Sequence, residues 1–296
     1  MEQTVTGQEL ISVLKLMTEE QQYYFFLRAC QAGNLKICQI CLDAGIDINI
    51  REDFYGEPLL VKLMSTESLT IAVADWFIKN GANINLTNNA GYSPLTYACS
   101  RGSYEFAKYF VDKGAKIQDN TTAKFSGDLQ NAVSEGGNIK IVRLLLDAGA
   151  PLEADAKSVY NPFITAVQRK RADIVELFLK RGAEPNFYHN GRTALHIAVV
   201  QEDVATARVL LKYEADVNAK AQKQAGLIKS HLAVTPLDIA IYNADTEMQQ
   251  LLSGYGATTS TQEEKVEKVM EAYTGNELAS LMKRVFALQV NNKLHK

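Results

Sequence analysis

Gly191-Arg192-Thr193-Ala194-Leu195-His196-Ile197-Ala198 opens a stretch that runs on through an apolar helical segment to Leu210-Leu211. It closes on Glu214-Ala215-Asp216-Val217-Asn218. The closing step recurs in both directions. Before it come Gly182-Ala183-Glu184-Pro185-Asn186, Gly149-Ala150-Pro151-Leu152, Gly114-Ala115-Lys116-Ile117, Gly81-Ala82-Asn83-Ile84-Asn85 and Gly45-Ile46-Asp47-Ile48-Asn49, and after it Gly256-Ala257. From residue 45 the intervals are 36, 33, 35, 33, 32 and 42. A period near 33 residues marks a repeat array, in which each unit buries its apolar face against its neighbours.

Other units open in the same way: Ser93-Pro94-Leu95-Thr96-Tyr97-Ala98, Asn161-Pro162-Phe163-Ile164-Thr165-Ala166 and Thr235-Pro236-Leu237-Asp238-Ile239-Ala240. A hydroxyl residue caps the first helix by accepting a backbone N–H, and proline at the next position has no N–H to leave unpaired. Leu and Ala then face the neighbouring unit, where a small side chain lets helices approach. Ile141-Val142 with Leu144-Leu145-Leu146, and Ile174-Val175 with Leu177-Phe178-Leu179, give the second helix an apolar face at helical period. The following glycine permits the left-handed conformation that ends a helix. Asn88-Asn89-Ala90-Gly91 and His189-Asn190-Gly191 then turn the chain into a projecting hairpin.

These openings resemble the ankyrin repeat, whose marker is Thr-Pro-Leu-His-x-Ala in a unit of about 33 residues. The resemblance covers residues 22–257 as about seven units. It implies an all-α ankyrin-repeat solenoid of helix-turn-helix pairs with β-hairpin-like fingers. Residues 1–21 are expected to form an N-terminal helical cap and residues 258–296 a C-terminal helical cap or tail. Residues 7–17 read as one amphipathic helix, and Thr18 with Glu20 and Gln21 suits the start of another. Segments 262–273 and 276–290 read as helices, the second with Leu278, Leu281, Met282, Val285 and Leu288 on one face.

Several units depart from the pattern. The first replaces Thr-Pro-Leu with aromatics in Tyr24-Phe25-Phe26-Leu27-Arg28-Ala29. The second, opening Glu57-Pro58-Leu59-Leu60, carries about three extra residues around Ser65-Thr66-Glu67-Ser68. The fourth, Asp128-Leu129-Gln130-Asn131-Ala132, lacks proline. The last has about ten extra residues between Asn218 and Thr235, a lengthened finger over 221–231.

The 296 residues are 47% hydrophobic with a net charge of −3, which gives no global attraction to nucleic acid or to an anionic membrane. No stretch approaches the roughly 18 apolar residues of a membrane span. Met1-Glu2-Gln3-Thr4 begins no basic and then apolar export signal. A cytoplasmic protein is expected. Cys38-Gln39-Ile40-Cys41, with Cys30 upstream, raises the question of metal or redox chemistry. In register, Cys38 and Cys41 fall where other units place Val142 and Leu145, or Val175 and Phe178, while Cys30 and Cys99 follow the first-helix alanines. Small buried thiols account for all four, and no metal or cofactor is expected.

No phosphate loop, nucleophile elbow or carboxylate pair appears at usable spacing, so no catalytic residue is nominated. His196 falls on the marker histidine, for which the resemblance implies a structural hydrogen-bonding role. Gln168-Arg169-Lys170-Arg171 is the densest basic cluster and reads as a solvated helix end, or as a patch for an acidic partner.

In ankyrin proteins the fingers and first helices form the concave groove that holds partners. Carried over by register, this gives Tyr92, Tyr160 and Arg192 before the marker threonine, Tyr97 within the first helix, and Arg101, Arg169 and Tyr242 at its end. Tyr55 (or Phe54) and Tyr188 fall near finger tips. Tyr and Arg anchor interfaces because they combine large area with directional bonds. The expected function is a non-catalytic, monomeric protein-interaction scaffold binding along Tyr55 to Tyr242. One alternative is a bacterial effector acting on a host protein in a eukaryotic cytoplasm, with which the polar end Asn291–Lys296 is compatible. A more remote one is an enzyme with a site near the 221–231 loop, involving His231, and the C-terminal helices.

Overall fold

In a computed structural model of the chain, the described residues are 6–52, 56–118, 127–152, 161–221 and 234–259. Among them the backbone forms fifteen α-helices and one two-stranded ribbon. The expected all-α array of helix pairs is what is found. Helix α1 (Gly7–Leu14) precedes seven pairs: α2 (Glu19–Gln31) with α3 (Leu35–Asp43), α4 (Leu59–Ser65) with α5 (Ile71–Lys79), α6 (Pro94–Ser100) with α7 (Tyr104–Asp112), α8 (Asp128–Asn131) with α9 (Ile139–Asp147), α10 (Pro162–Gln168) with α11 (Ala172–Lys180), α12 (Ala194–Val200) with α13 (Val204–Lys212), and α14 (Pro236–Tyr242) with α15 (Thr246–Gly254). The segments read as C-terminal helices, 262–273 and 276–290, lie outside the described residues, as do 222–233 of the long finger.

The chain divides into two compact units, residues 1–165 and 166–296. In the first, α2 packs on α4, α4 on α6 and α6 on α8, while α7 packs on α9; α1 lies against α3. In the second, α12 packs on α14, α11 on α13 and α13 on α15. First helices therefore stack on first helices and second on second. The alanines Ala98, Ala132, Ala166, Ala198 and Ala240 have no exposed surface, as close first-helix packing requires. Val142, Leu145, Val175 and Phe178 fill the second-helix core, and Cys38 and Cys41 occupy the same positions in α3, fully buried and outside any disulfide.

The helix starts follow from their caps. The side chains of Ser93, Thr193 and Thr235 accept the N–H of the third helical residue, and Asn161 does the same for Ile164. Thr6 and Thr18 open α1 and α2 with capping boxes to Glu9 and Gln21. Helix α1 is shorter than the 7–17 reading, ending at Leu14. The closing steps are Schellman turns. Gly81, Gly114, Gly149, Gly182 and Gly256 sit at φ +81 to +93°. The alanine after each returns its N–H to the carbonyl of Phe77, Phe110, Leu145, Phe178 or Leu252 at 2.9–3.1 Å. No atom lies within 4 Å of a β-carbon built on these glycines, so backbone conformation and not space selects them. Glu214 makes the same turn at φ 64° without glycine.

Two irregular units resolve by counting. From the buried first-helix alanine to the left-handed residue that ends the helix there are four steps in most pairs, as in Ala98–Gly102, Ala198–Glu202 and Ala240–Ala244. The fourth pair has five, Ala132–Gly137. That one additional residue is taken up as a π-helical turn over Ala132–Gly136 following α8. In the second pair Pro58 is itself the N-cap, one place earlier than the marker proline, and Leu63 takes the alanine position. The α4–α5 turn then holds residues 66–70 against 101–103 in the next pair, an excess of two and not three.

A ladder of asparagines joins successive closing turns. Asn49 Oδ1 accepts Asn83 N–H at 2.8 Å, Asn85 Oδ1 accepts Lys116 N–H at 2.8 Å, Asn186 Oδ1 accepts Asp216 N–H at 2.7 Å, and Asn218 Oδ1 accepts Thr258 N–H at 2.7 Å. Each rung pairs a backbone donor that no helix could satisfy. His196 performs a related task between fingers. Fully buried, it holds Nδ1 2.8 Å from Thr193 Oγ1 and Nε2 3.1 Å from the Val234 carbonyl. Burial lowers its pKa, so the ring is neutral and Nε2 is the nitrogen that donates.

Candidate protein-binding face

The finger between α5 and α6 is built around Asn88. Its Oδ1 accepts the N–H groups of Ala90 and Tyr92 at 3.1 and 3.0 Å, and its own N–H donates to the Tyr92 carbonyl. This holds Tyr92 over the first turn of α6, where its ring lies 5.1 Å from that of Tyr97 at 44°. Asn88 Nδ2 donates to the Tyr97 hydroxyl at 3.3 Å. One turn further along, the Arg101 guanidinium sits 5.9 Å from the Tyr97 ring centroid. Three sequence-nominated residues are thus brought together within the first unit, with both rings half-buried.

Arg101 is also committed inward. Its Nη1 pairs with Glu67 in the α4–α5 turn, and its Nη2 donates to the carbonyl of Ser65, the last residue of α4. The guanidinium therefore clamps one inter-helix turn to the next while facing Tyr97. Burial, with the Glu57 charge nearby, raises the Tyr97 phenol pKa, so it stays a neutral hydroxyl. The surface offers two phenols and a cation already balanced by Glu67. That arrangement suits an amphipathic protein surface better than a strongly acidic one.

In the second unit the nominated residues are more dispersed. Tyr188 and Arg192 lie on the two strands of the ribbon, paired as Tyr188 with Thr193 and His189 with Arg192. Its turn is Asn190-Gly191, both at positive φ, the pairing favoured in tight hairpins. The Tyr188 hydroxyl donates to the Lys220 carbonyl at 3.1 Å, tying this finger to the next. Arg169 is exposed just past α10, and Tyr242 is half-buried at the end of α14. Lys170, beside Arg169, donates to the Gln201 carbonyl at 2.9 Å, so part of the basic run stitches repeats together. Tyr55 and Tyr160 lie outside the described residues.

Sequence reasoning did not find Glu67 or Asn88 as partners of the Tyr97 cluster. Both act across a turn or a finger, and nothing in the local pattern distinguishes them from ordinary solvated loop residues. Among the described residues no group of three or more His, Cys, Asp or Glu side chains could hold a metal ion, and no helix is long and apolar enough to cross a membrane.

Comparison with known proteins places these features. A family model for ankyrin repeats (3 copies) matches residues 26–122 and 129–221. Mouse Rabankyrin-5 is 27% identical over 177 residues, covering 55% of this chain and 15% of that protein. The ankyrin repeat and KH domain-containing protein mask-1 of Caenorhabditis elegans is 25% identical over 230 residues, 77% of this chain and 8% of that protein. A putative ankyrin repeat protein of Rickettsia felis is 30% identical over 135 residues, 42% of this chain and 58% of that protein. The chain thus spans less than two thirds of each of these relatives. Among solved structures, the ankyrin repeat domain of Bcl-3 superposes with a TM-score of 0.60 at 24% identity, covering 77% of this chain and 97% of that one. The human ASB11 ankyrin repeat domain gives 0.56 at 24%, covering 76% and 96%. With the marker openings, the Schellman closures and the stacked helix pairs all present in register, the chain belongs to the ankyrin-repeat family.

Proposed function

We propose that this chain is a non-catalytic scaffold that binds a protein partner through its fingers and first helices. Ankyrin repeats are in general protein-interaction modules, and the reading here rests on one observation in particular. Tyr92, Tyr97 and Arg101 form a half-exposed aromatic and cationic cluster on a rigid helix and finger. Packing of the array does not require tyrosine at position 97, where α12 carries Ile197 and α14 carries Ile239. Partner binding does gain from it, because tyrosine supplies contact area with little rotamer entropy to lose. Helix α1, covering α3 at one end of the array, supports a monomer, and a cytoplasmic setting suits four buried cysteines that form no disulfide.

The test is affinity capture with mass spectrometry, followed by calorimetry on the recovered partner. Tyr97→Ala, alone and with Tyr92→Ala, is expected to weaken that complex about tenfold or more, as truncation of an interface anchor does. The helical circular-dichroism spectrum should stay unchanged. Parental affinity in both variants would show that the partner binds elsewhere.

A further inference from the structure

We infer that the Tyr97 hydroxyl meets the partner as a hydrogen-bond donor, so that the partner segment laid over Tyr92 and Tyr97 carries a carbonyl oxygen at that point. Asn88 is the positioning residue that sets this polarity. This rests on the protein-binding reading and adds to it the chemistry that the partner presents.

The side-chain amide of Asn88 can be oriented in one way only. One end of it takes two backbone N–H groups, those of Ala90 and Tyr92 at 3.1 and 3.0 Å, and in an amide only the oxygen accepts. Both lone pairs of Oδ1 are thereby occupied. The other end is the amide NH2, a pure donor, and it lies 3.3 Å from the Tyr97 hydroxyl. The phenol oxygen is therefore the acceptor in that bond. Its own proton has no acceptor among the described residues. A surface tyrosine ordinarily turns its O–H to suit whatever arrives. Here the finger has fixed the direction before any partner does.

The surroundings leave that proton to an incoming group. The Tyr92 ring lies 5.1 Å from the Tyr97 ring, and the Arg101 guanidinium 5.9 Å from its centroid. Arg101 Nη1 and Nη2 already have acceptors in Glu67 and the Ser65 carbonyl. Because Tyr97 is half-buried, a partner seated on the two rings removes the water that remains at its hydroxyl. A purely apolar contact would then strand a donor, which costs roughly ten- to a hundredfold in affinity. A carbonyl oxygen satisfies it. Burial first, and then the Glu57 charge, hold the phenol pKa up. The oxygen thus keeps its proton, and a neutral carbonyl suits the place better than a carboxylate.

The test uses the full chain and dodecapeptides from a random phage-displayed library, selected on the parent and counter-selected on Tyr97→Ala. Tyr97→Phe keeps the ring and removes only the hydroxyl, and should weaken these peptides about tenfold by calorimetry. Asn88→Asp keeps an acceptor for the Ala90 and Tyr92 N–H groups, since aspartate makes the same turn. Its second carboxylate oxygen accepts the Tyr97 proton and so withdraws it from the partner. That variant should also weaken the peptides about tenfold. The two substitutions together should weaken them no further than Tyr97→Phe alone, because both remove one bond. All three proteins should keep the parental helical circular-dichroism spectrum. The affinity ratios should persist in about 0.5 M NaCl, since salt does not screen a bond to a neutral carbonyl. Parental affinity in Tyr97→Phe or in Asn88→Asp, or a ratio lost in salt, would overturn the inference and leave the scaffold reading standing. A library that yields no Tyr97-dependent peptide would overturn both.

Discussion

Glu214 sits in the left-handed region at φ 64°, where the other six closing turns of the array carry glycine. A β-carbon there costs about 1–2 kcal/mol, and glycine returns about half of that as added freedom of the unfolded chain. Glu214→Gly should therefore stabilise the protein by about 0.5–1 kcal/mol in urea unfolding, with an unchanged m-value. Asp128 tells the opposite story. It stands where α6, α10 and α14 place proline and is wholly buried. It accepts the Thr96 hydroxyl at 2.7 Å and the Gln118 N–H at 2.8 Å. Burial nevertheless pushes its pKa up to about 6, and its two hydrogen bonds only moderate that rise. The folded state then holds this proton more tightly than the unfolded chain, whose carboxyl titrates near 3.9. Stability from this group is fully present below about pH 4, falls as the pH rises to about 6, and is flat above. The loss is on the order of 2–3 kcal/mol. Asparagine can accept from Gln118 and donate to Thr96. Asp128→Asn should therefore gain stability relative to the parent as denaturation is moved from pH 4 to pH 7. A difference that stays constant with pH would refute the buried-charge account.

At the scale of elements, the π turn after α8 and the asparagine ladder are the informative features. The π turn absorbs one residue beyond the four-step spacing of the other first helices. Deleting Gly136 should restore that spacing and leave thermal stability equal or higher. Deleting Val200 from the regular α12 should cost about 3 kcal/mol or more, because it rotates buried side chains out of register. Equal losses in the two deletions would mean that the π turn is not an insertion. Asn186 makes two inter-repeat bonds, accepting from Asp216 N–H at 2.7 Å and donating to the Glu214 carbonyl at 3.3 Å. Asn186→Ala leaves a backbone donor unpaired and should cost about 1–2 kcal/mol. Hydrogen exchange should accelerate around 182–186 and 214–218 and stay unchanged in α2 and α3, because each repeat leans only on its neighbours. Accelerated exchange throughout the chain would contradict that nearest-neighbour picture.

For the molecule as a whole, the fold was legible because each repeat signals itself locally. Capping hydroxyls, N1 prolines, small first-helix residues and glycine closures depend on interactions within about six residues, and a period near 33 repeats them until they are unmistakable. The same locality explains the errors of detail. Pro58 looked like a marker proline and is an N-cap, because Leu63 in place of alanine hid the one-residue offset. The site was legible only in part. Register put Tyr92, Tyr97 and Arg101 on one surface, since all three belong to one finger and its helix. It could not reveal that Arg101 is balanced by Glu67 thirty-four residues earlier, or that Tyr24 bonds Glu52 twenty-eight residues later. By itself the sequence determined the repeat, its boundaries at each glycine turn and the packing role of the four cysteines, because these follow from backbone conformation and volume at fixed spacing. Only the tertiary structure decided which charges are paired, which are buried and which tyrosines meet, because burial and pairing are set by neighbours a whole repeat away.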